Sequence, residues 1–173
     1  MGGNTITNRI LITPQRSYRN NCVRFASQCL YAGLGDDIIA EVYPEWHCYR
    51  NNQRDPENPE EHDQTRSWRK TNYFYRFLMD SGLAYNTTRL YSGWDLGLMA
   101  EWFQYEPGDF LFFSNGNGAD EFYHVAVVSA ITENDILFMG NTTDCFDASL
   151  TAWFQDPENQ EKEVVIVCIA DQG

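Results

Sequence analysis

Apolar and polar positions along this chain follow two rhythms, a helical one first and an alternating one later. Cys22, Phe25, Ala26, Cys29 and Leu30 recur at i, i+3, i+4, i+7 and i+8, one face of a helix. Asn20 or Asn21 suits its N-cap and Gly33 its end, so Cys22 falls in the first turn of a short, mostly buried helix. A polar stretch from Gly35 to Gln64 follows, interrupted by Pro44, Pro56 and Pro59. A second helix is predicted over Ser67–Ser81, with Trp68, Tyr75, Leu78 and Met79 among its apolar positions and Gly82 closing it. Leu96–Trp102 reads as a further short helix.

From Asp109 onward the pattern is that of strands. Asp109–Ser114 and Phe122–Ile131 flank Asn115-Gly116-Asn117-Gly118, a strong hairpin signal. Asp135–Gly140 is a third strand, entered through a turn at Glu133-Asn134. Val164–Ala170 is a fourth, and its unbroken apolar run predicts burial on both faces. Helices first and an antiparallel meander second give an α+β domain. At 173 residues the chain reads as a single domain, residues 1–173, with no internal repeat.

Composition narrows the function. An apolar share of 43% with 15% aromatics describes a globular chain. The formal charge of −13 speaks against nucleic acid and anionic lipid as partners, because both need clustered Lys and Arg. The acid is concentrated in two runs, Asp55–Asp63 and Asp156–Glu163; solvated loops are the default reading, and selection of a cationic partner is the functional one. No stretch approaches the roughly 18 apolar residues of a membrane span. Met1–Thr13 lacks the basic start and apolar core of a signal peptide, which suggests retention in the cell, another export route, or a piece of a longer chain. The five cysteines (Cys22, Cys29, Cys48, Cys145 and Cys168) form no CxxC pair and are odd in number, so neither structural zinc nor a disulfide framework is expected.

One of these thiols stands where chemistry is favoured. At a helix N-terminus the unpaired N–H groups and the positive dipole end favour thiolate and can hold an oxyanion. Cys22 occupies that place; it also suits a small core thiol, like Cys29 one heptad on. A base must come from three histidines. His47 and His62 fall in the polar, Pro-broken stretch. His124 lies inside a strand, where a titratable group needs a partner or a purpose, and a hydrogen-bonded core role stands beside a catalytic one. Alternation puts His124, Ala126 and Val128 on one face; if the Cys22 helix packs there, thiol and imidazole meet. The neighbouring strand ends at Asn141-Thr142-Thr143-Asp144, either a plain turn or the source of a third member that orients the imidazole.

Asn21-Cys22-Val23-Arg24-Phe25-Ala26-Ser27-Gln28-Cys29-Leu30-Tyr31-Ala32-Gly33 resembles the "DCxNFVSQCLxAGG" signature of the putative amidase domain family. Ser67-Trp68, Pro107-Gly108-Asp109-Phe110, Tyr123-His124-Val125-Ala126-Val127-Val128 and Asn141-Thr142-Thr143-Asp144 resemble its later motifs in order. That family is similar to the papain-like NlpC/P60 and CHAP hydrolases. The resemblance implies a papain-like fold, with the nucleophile helix packed on an antiparallel sheet. It implies cysteine amidase or peptidase activity on a peptide or peptidoglycan stem, and no cofactor. Its catalytic set maps to Cys22, His124 and Asn141, with Asp144 the next candidate for the third place. Gln15 or Tyr18 is a candidate side-chain donor to the oxyanion. Asn21 and Arg24 depart from the family's Asp and Asn, and Asn141 stands where it usually has His. Asn115–Asp120 echoes a calcium-type loop but lacks two carboxylates, so no metal is inferred. Trp46, Trp68, Trp94 and Trp102 suit either a groove wall or a core. Two rival functions fit the same residues. One is an acyltransferase or deamidase acting on a protein, as a delivered bacterial effector would. The other is an inactive module docking a basic partner.

Overall fold

A computed structural model of the chain describes residues 21–34, 43, 45–46, 65–116, 121–141 and 144–170. Its elements are α1 (Cys22–Leu34), α2 (Arg66–Arg69), α3 (Thr71–Asp80), β1 (Ala84–Tyr91), α4 (Leu96–Phe103), β2 (Phe110–Ser114), β3 (Phe122–Ile131), β4 (Ile136–Asn141), β5 (Asp144–Ser149), α5 (Leu150–Gln155), a 3-10 turn (Pro157–Asn159) and β6 (Glu163–Ile169). The six strands make one sheet in the order β1-β6-β2-β3-β4-β5, antiparallel at every pairing. The class is α+β. No helix among the described residues is long and apolar enough to cross a membrane.

Alternation along the central strands divides the interior into two layers. Phe110 and Phe112 of β2, Val125 and Val127 of β3, and Val165 and Val167 of β6 join Cys22, Val23, Ala26 and Leu30 of α1 and the apolar faces of α2 and α3. The intervening residues Leu111, Phe113, Ala126, Val128, Val164, Ile166 and Cys168 pack on the other face, against Leu96 and Ala100 of α4 and Leu150 and Phe154 of α5. The continuous apolar run of β6 follows from its place between β1 and β2, where every residue but Ile169 is buried.

Several local choices are readable in the residues. Asp95 caps α4 by accepting from Leu98 N–H at 2.9 Å, and Ser149 caps α5 by accepting from Ala152 N–H at 2.9 Å. Asp109 is buried and accepts from Glu106 N–H (2.9 Å) and Ile169 N–H (3.0 Å). It thus closes the Pro107-Gly108 turn and ties β2 to the end of β6, a structural use of the Gly-Asp motif. Burial raises its carboxyl above the usual range despite those two donors.

The structure revises some sequence expectations. The helix predicted over Ser67–Ser81 breaks at Lys70, which is extended (φ −124°, ψ 125°), giving α2 and α3. β1, β5 and α5 were not predicted. Trp46 and Trp68 are core residues with rings 4.8 Å apart, and Trp46 donates to the buried Ser27 hydroxyl at 3.2 Å. Only Trp94 and Trp102 of the four tryptophans are exposed, so the four do not wall one groove. In the second acidic run Glu163 is buried in the ladder and paired with Arg89, so that run is not wholly a solvated loop.

Candidate active site

Cys22 is the first residue of α1. The carbonyl of Asn21 accepts from Phe25 N–H at 3.1 Å, which makes Asn21 the half-in residue before the helix. The N–H groups of Cys22 and Val23 therefore precede the first hydrogen bond within the helix, and they lie at its positive end. The thiol is only 3% exposed and belongs to the layer that holds Val125 and Val127. Burial pushes Cys29 up to about 11 and Cys168 up to about 12, so neither ionises near neutral pH.

His124 occupies the opposite layer. It pairs with Phe113 across the β2–β3 ladder, and the two rings lie 5.3 Å apart. A Cβ placed on Gly140 would lie 3.4 Å from His124 Nε2 and 3.7 Å from the Cys145 sulfur. The imidazole nitrogen and the Cys145 sulfur thus both lie beside the bare backbone of Gly140. Burial lowers its pKa to about 4, which keeps the ring neutral.

A bulge sets this orientation. Ser114 pairs with Phe122 and Phe113 with His124, so one step on β2 faces two on β3 and Tyr123 is the extra residue. Phe122 consequently points into the α1 layer, while His124 points away from it. The N–H of Phe122 is taken by the Asn72 side chain of α3 at 2.8 Å. Asn72 is a positioning residue that the sequence reading did not single out.

The expected meeting of Cys22 and His124 is therefore corrected. Alternation does put His124 with Ala126 and Val128, but α1 packs on the face of Val125 and Val127. In β4, Ile136 and Phe138 face the α4–α5 layer and Met139 the α1 layer, which gives Asn141 the α1 side. Cys22 and Asn141 share a side of the sheet; His124 is on the other. Asn141 pairs with Asp144 in the β4–β5 ladder. Gln15, Tyr18, His47, Cys48, His62, Thr142 and Thr143 lie outside the described residues, as do the Asp55–Asp63 run and most of the Asn115–Asp120 loop. Among the described residues no group of three or more His, Cys, Asp or Glu side chains is arranged to hold a metal.

Comparison with known families decides the class. The model of the family described as "Putative amidase domain" matches residues 13–165, from before α1 into β6. The chain belongs to the putative amidase domain family. No curated protein and no solved structure matches it. For this amidase-family chain the match spans both layers of the fold and includes Cys22, His124 and Asn141.

Proposed function

We propose that this amidase-family chain is a cysteine hydrolase of papain-like type, related in plan to the NlpC/P60 and CHAP enzymes. Its substrate class is an amide bond in a peptide or peptidoglycan stem. The observation that carries the reading is the place of Cys22 as the first residue of α1. There the positive end of the helix dipole favours an anion, and the oxyanion formed from an attacked carbonyl meets the N–H groups of Cys22 and Val23 at the start of the helix.

In the reaction His124 accepts the thiol proton and the Cys22 sulfur bonds to the amide carbon. The first-turn N–H groups of α1 hold the resulting oxyanion. The C–N bond then breaks as His124 returns the proton to the leaving amine. Water, deprotonated by His124, cleaves the thioester and releases the acid and the free thiol. Asn141 fixes the ring tautomer by accepting its other N–H. This chemistry needs the imidazole on the α1 face. Moving the β3 bulge past His124 by one residue turns that side chain over while leaving Val125 and Val127 in place, because parity changes only between the old and new bulge positions. We infer that the working pair forms by this shift. A second reading rests on Gly140: His124 Nε2 and the Cys145 sulfur lie beside the same Cβ-free position, which would make Cys145 the thiol that His124 serves.

One experiment separates the two. Wild type, Cys22→Ala, Cys145→Ser and His124→Ala are incubated with purified peptidoglycan and with a peptide library, and products are read by mass spectrometry. Amine and acid products are expected from wild type and Cys145→Ser and from neither other variant. Wild-type product yield from Cys22→Ala would remove Cys22 as the nucleophile; loss in Cys145→Ser alone would transfer the role to Cys145.

A further inference from the structure

The face of the sheet opposite Cys22 carries a cleft of about 310 Å³ between the β1–α4 turn and α5. That is the lower end of the range for small-molecule sites, roughly 300–1,000 Å³, enough for a single ring. None of its lining residues is ionisable, in a chain with 25 acidic and 12 basic residues. We propose that this cleft binds a neutral saccharide ring.

The lining has the division of surfaces such a ring requires. Leu96 and Phe154 line its apolar side and are themselves nearly fully buried. Trp94 forms an aromatic wall that is 43% exposed. The Trp94 indole is steadied by Tyr91, whose ring meets it edge-on at 5.3 Å, so a flat apolar surface is held ready for the C–H face of a pyranose. Gln155 and Gln160 supply exposed primary amides, each with two donors and an acceptor. That matches sugar hydroxyls, which both give and take hydrogen bonds. The Ser92 hydroxyl donates to the Phe154 carbonyl at 3.4 Å and keeps its lone pairs for a ligand O–H. Phosphates, nucleotides and zwitterions all need a countercharge that the lining does not offer. Gly93 takes φ +82°, a left-handed conformation, in the turn that carries Ser92 and Trp94 at the rim.

The test titrates wild-type protein at pH 7 with two neutral disaccharides, cellobiose and N,N′-diacetylchitobiose, and with a blocked neutral tripeptide. Ligand-observed saturation-transfer NMR and tryptophan fluorescence give the readout. Saturable binding of at least one disaccharide is expected. Trp94→Ala should weaken it roughly tenfold, the scale of one lost ring contact. Trp102→Ala, 69% exposed and outside the cleft, should leave it unchanged. Absence of saturable transfer from both sugars, saturation by the tripeptide alone, or an unaltered Kd in Trp94→Ala would each overturn the proposal. Binding is measured without turnover and on the face away from Cys22, so its failure leaves the amidase reading standing.

Discussion

Lowering the pH should destabilise this fold through His124, by an amount the structure sets. Burial holds the imidazole at about 4, against 6.5 for the free side chain. At about 1.4 kcal/mol per tenfold change in proton affinity, that difference corresponds to about 3 kcal/mol. The direction follows from which state takes the proton. Between pH 6.5 and 4 the unfolded chain protonates this histidine and the folded chain does not. The contribution of neutral His124 is therefore complete above 6.5 and is lost as the pH falls toward 4. Asp109 works the other way. Its raised pKa means that the folded state holds a proton more tightly, so its contribution is complete below the ordinary carboxylate value of 3.8 and is lost as pH rises through the folded value. A single pH curve mixes the two, so the comparison must be with His124→Gln, which keeps Asp109 and removes the titration. Urea unfolding of both proteins at intervals from pH 7 to 4 should show wild type losing about 3 kcal/mol more than the variant. Proton NMR of the imidazole, one of only three in the chain, should give the low pKa directly. Parallel stability curves would refute the reasoning. So would an imidazole titrating at or above 6.5, which would instead place it beside a thiolate.

Three further outcomes are expected. Gly97→Ala should lower stability on the order of 3 kcal/mol in urea unfolding, because the new Cβ would lie 1.9 Å from the backbone oxygen of Glu133, where nothing flexible can yield. Asp135→Ala should cost about 2 kcal/mol and loosen α5 by hydrogen exchange, since this carboxylate accepts from Thr151 N–H (3.0 Å), the Thr151 hydroxyl (2.9 Å) and Ile136 N–H (2.8 Å), as well as from Ser149. In the proposed reaction Asn141→His should keep substantial turnover, because an imidazole nitrogen accepts the same hydrogen bond; Asn141→Ala should lower kcat without a comparable loss of stability, and wild-type turnover in that variant would place the third member elsewhere.

How much of this was legible depended on how strongly each segment's burial is written in its residues. α1 was readable because one complete face is apolar and ends in Ala-Gly-Leu. β2, β3, β4 and β6 were readable because they are central or flanked and carry long apolar runs. β1 was not: Asn86, Thr87, Thr88 and Arg89 fill its middle, and only Leu90 is fully buried, as suits an edge strand. β5 hides for the same reason; its Phe146 is 86% exposed and Asp147 takes φ +50°. α5 has six residues, too few to display a period. The break at Lys70 has no glycine or proline to announce it. Its carbonyl instead starts α3 by accepting from Phe74 N–H at 2.9 Å.

The site was half legible, and the missing half is a matter of parity. Composition and helix placement single out Cys22, and strand position singles out His124, but neither says which face of the sheet an alternating strand gives to which layer. Period-two alternation fixes relative sides only, and one inserted residue inverts them. Here the inserted residue is Tyr123, exposed and without a glycine to mark the bulge. What pins it is the Asn72 side chain on the Phe122 N–H, a contact spanning 50 residues. Removing that acceptor should therefore act on chemistry more than on folding. If the proposed pair forms by bulge migration, Asn72→Ala releases the Phe122 N–H and lowers the barrier to turning His124 toward Cys22. The expected result is faster alkylation of Cys22 at neutral pH, with the gain abolished by adding His124→Ala. A Cys22 labelling rate indifferent to both substitutions would mean that the bulge does not govern the pair. The imidazole would then belong to the Gly140 side, with Cys145.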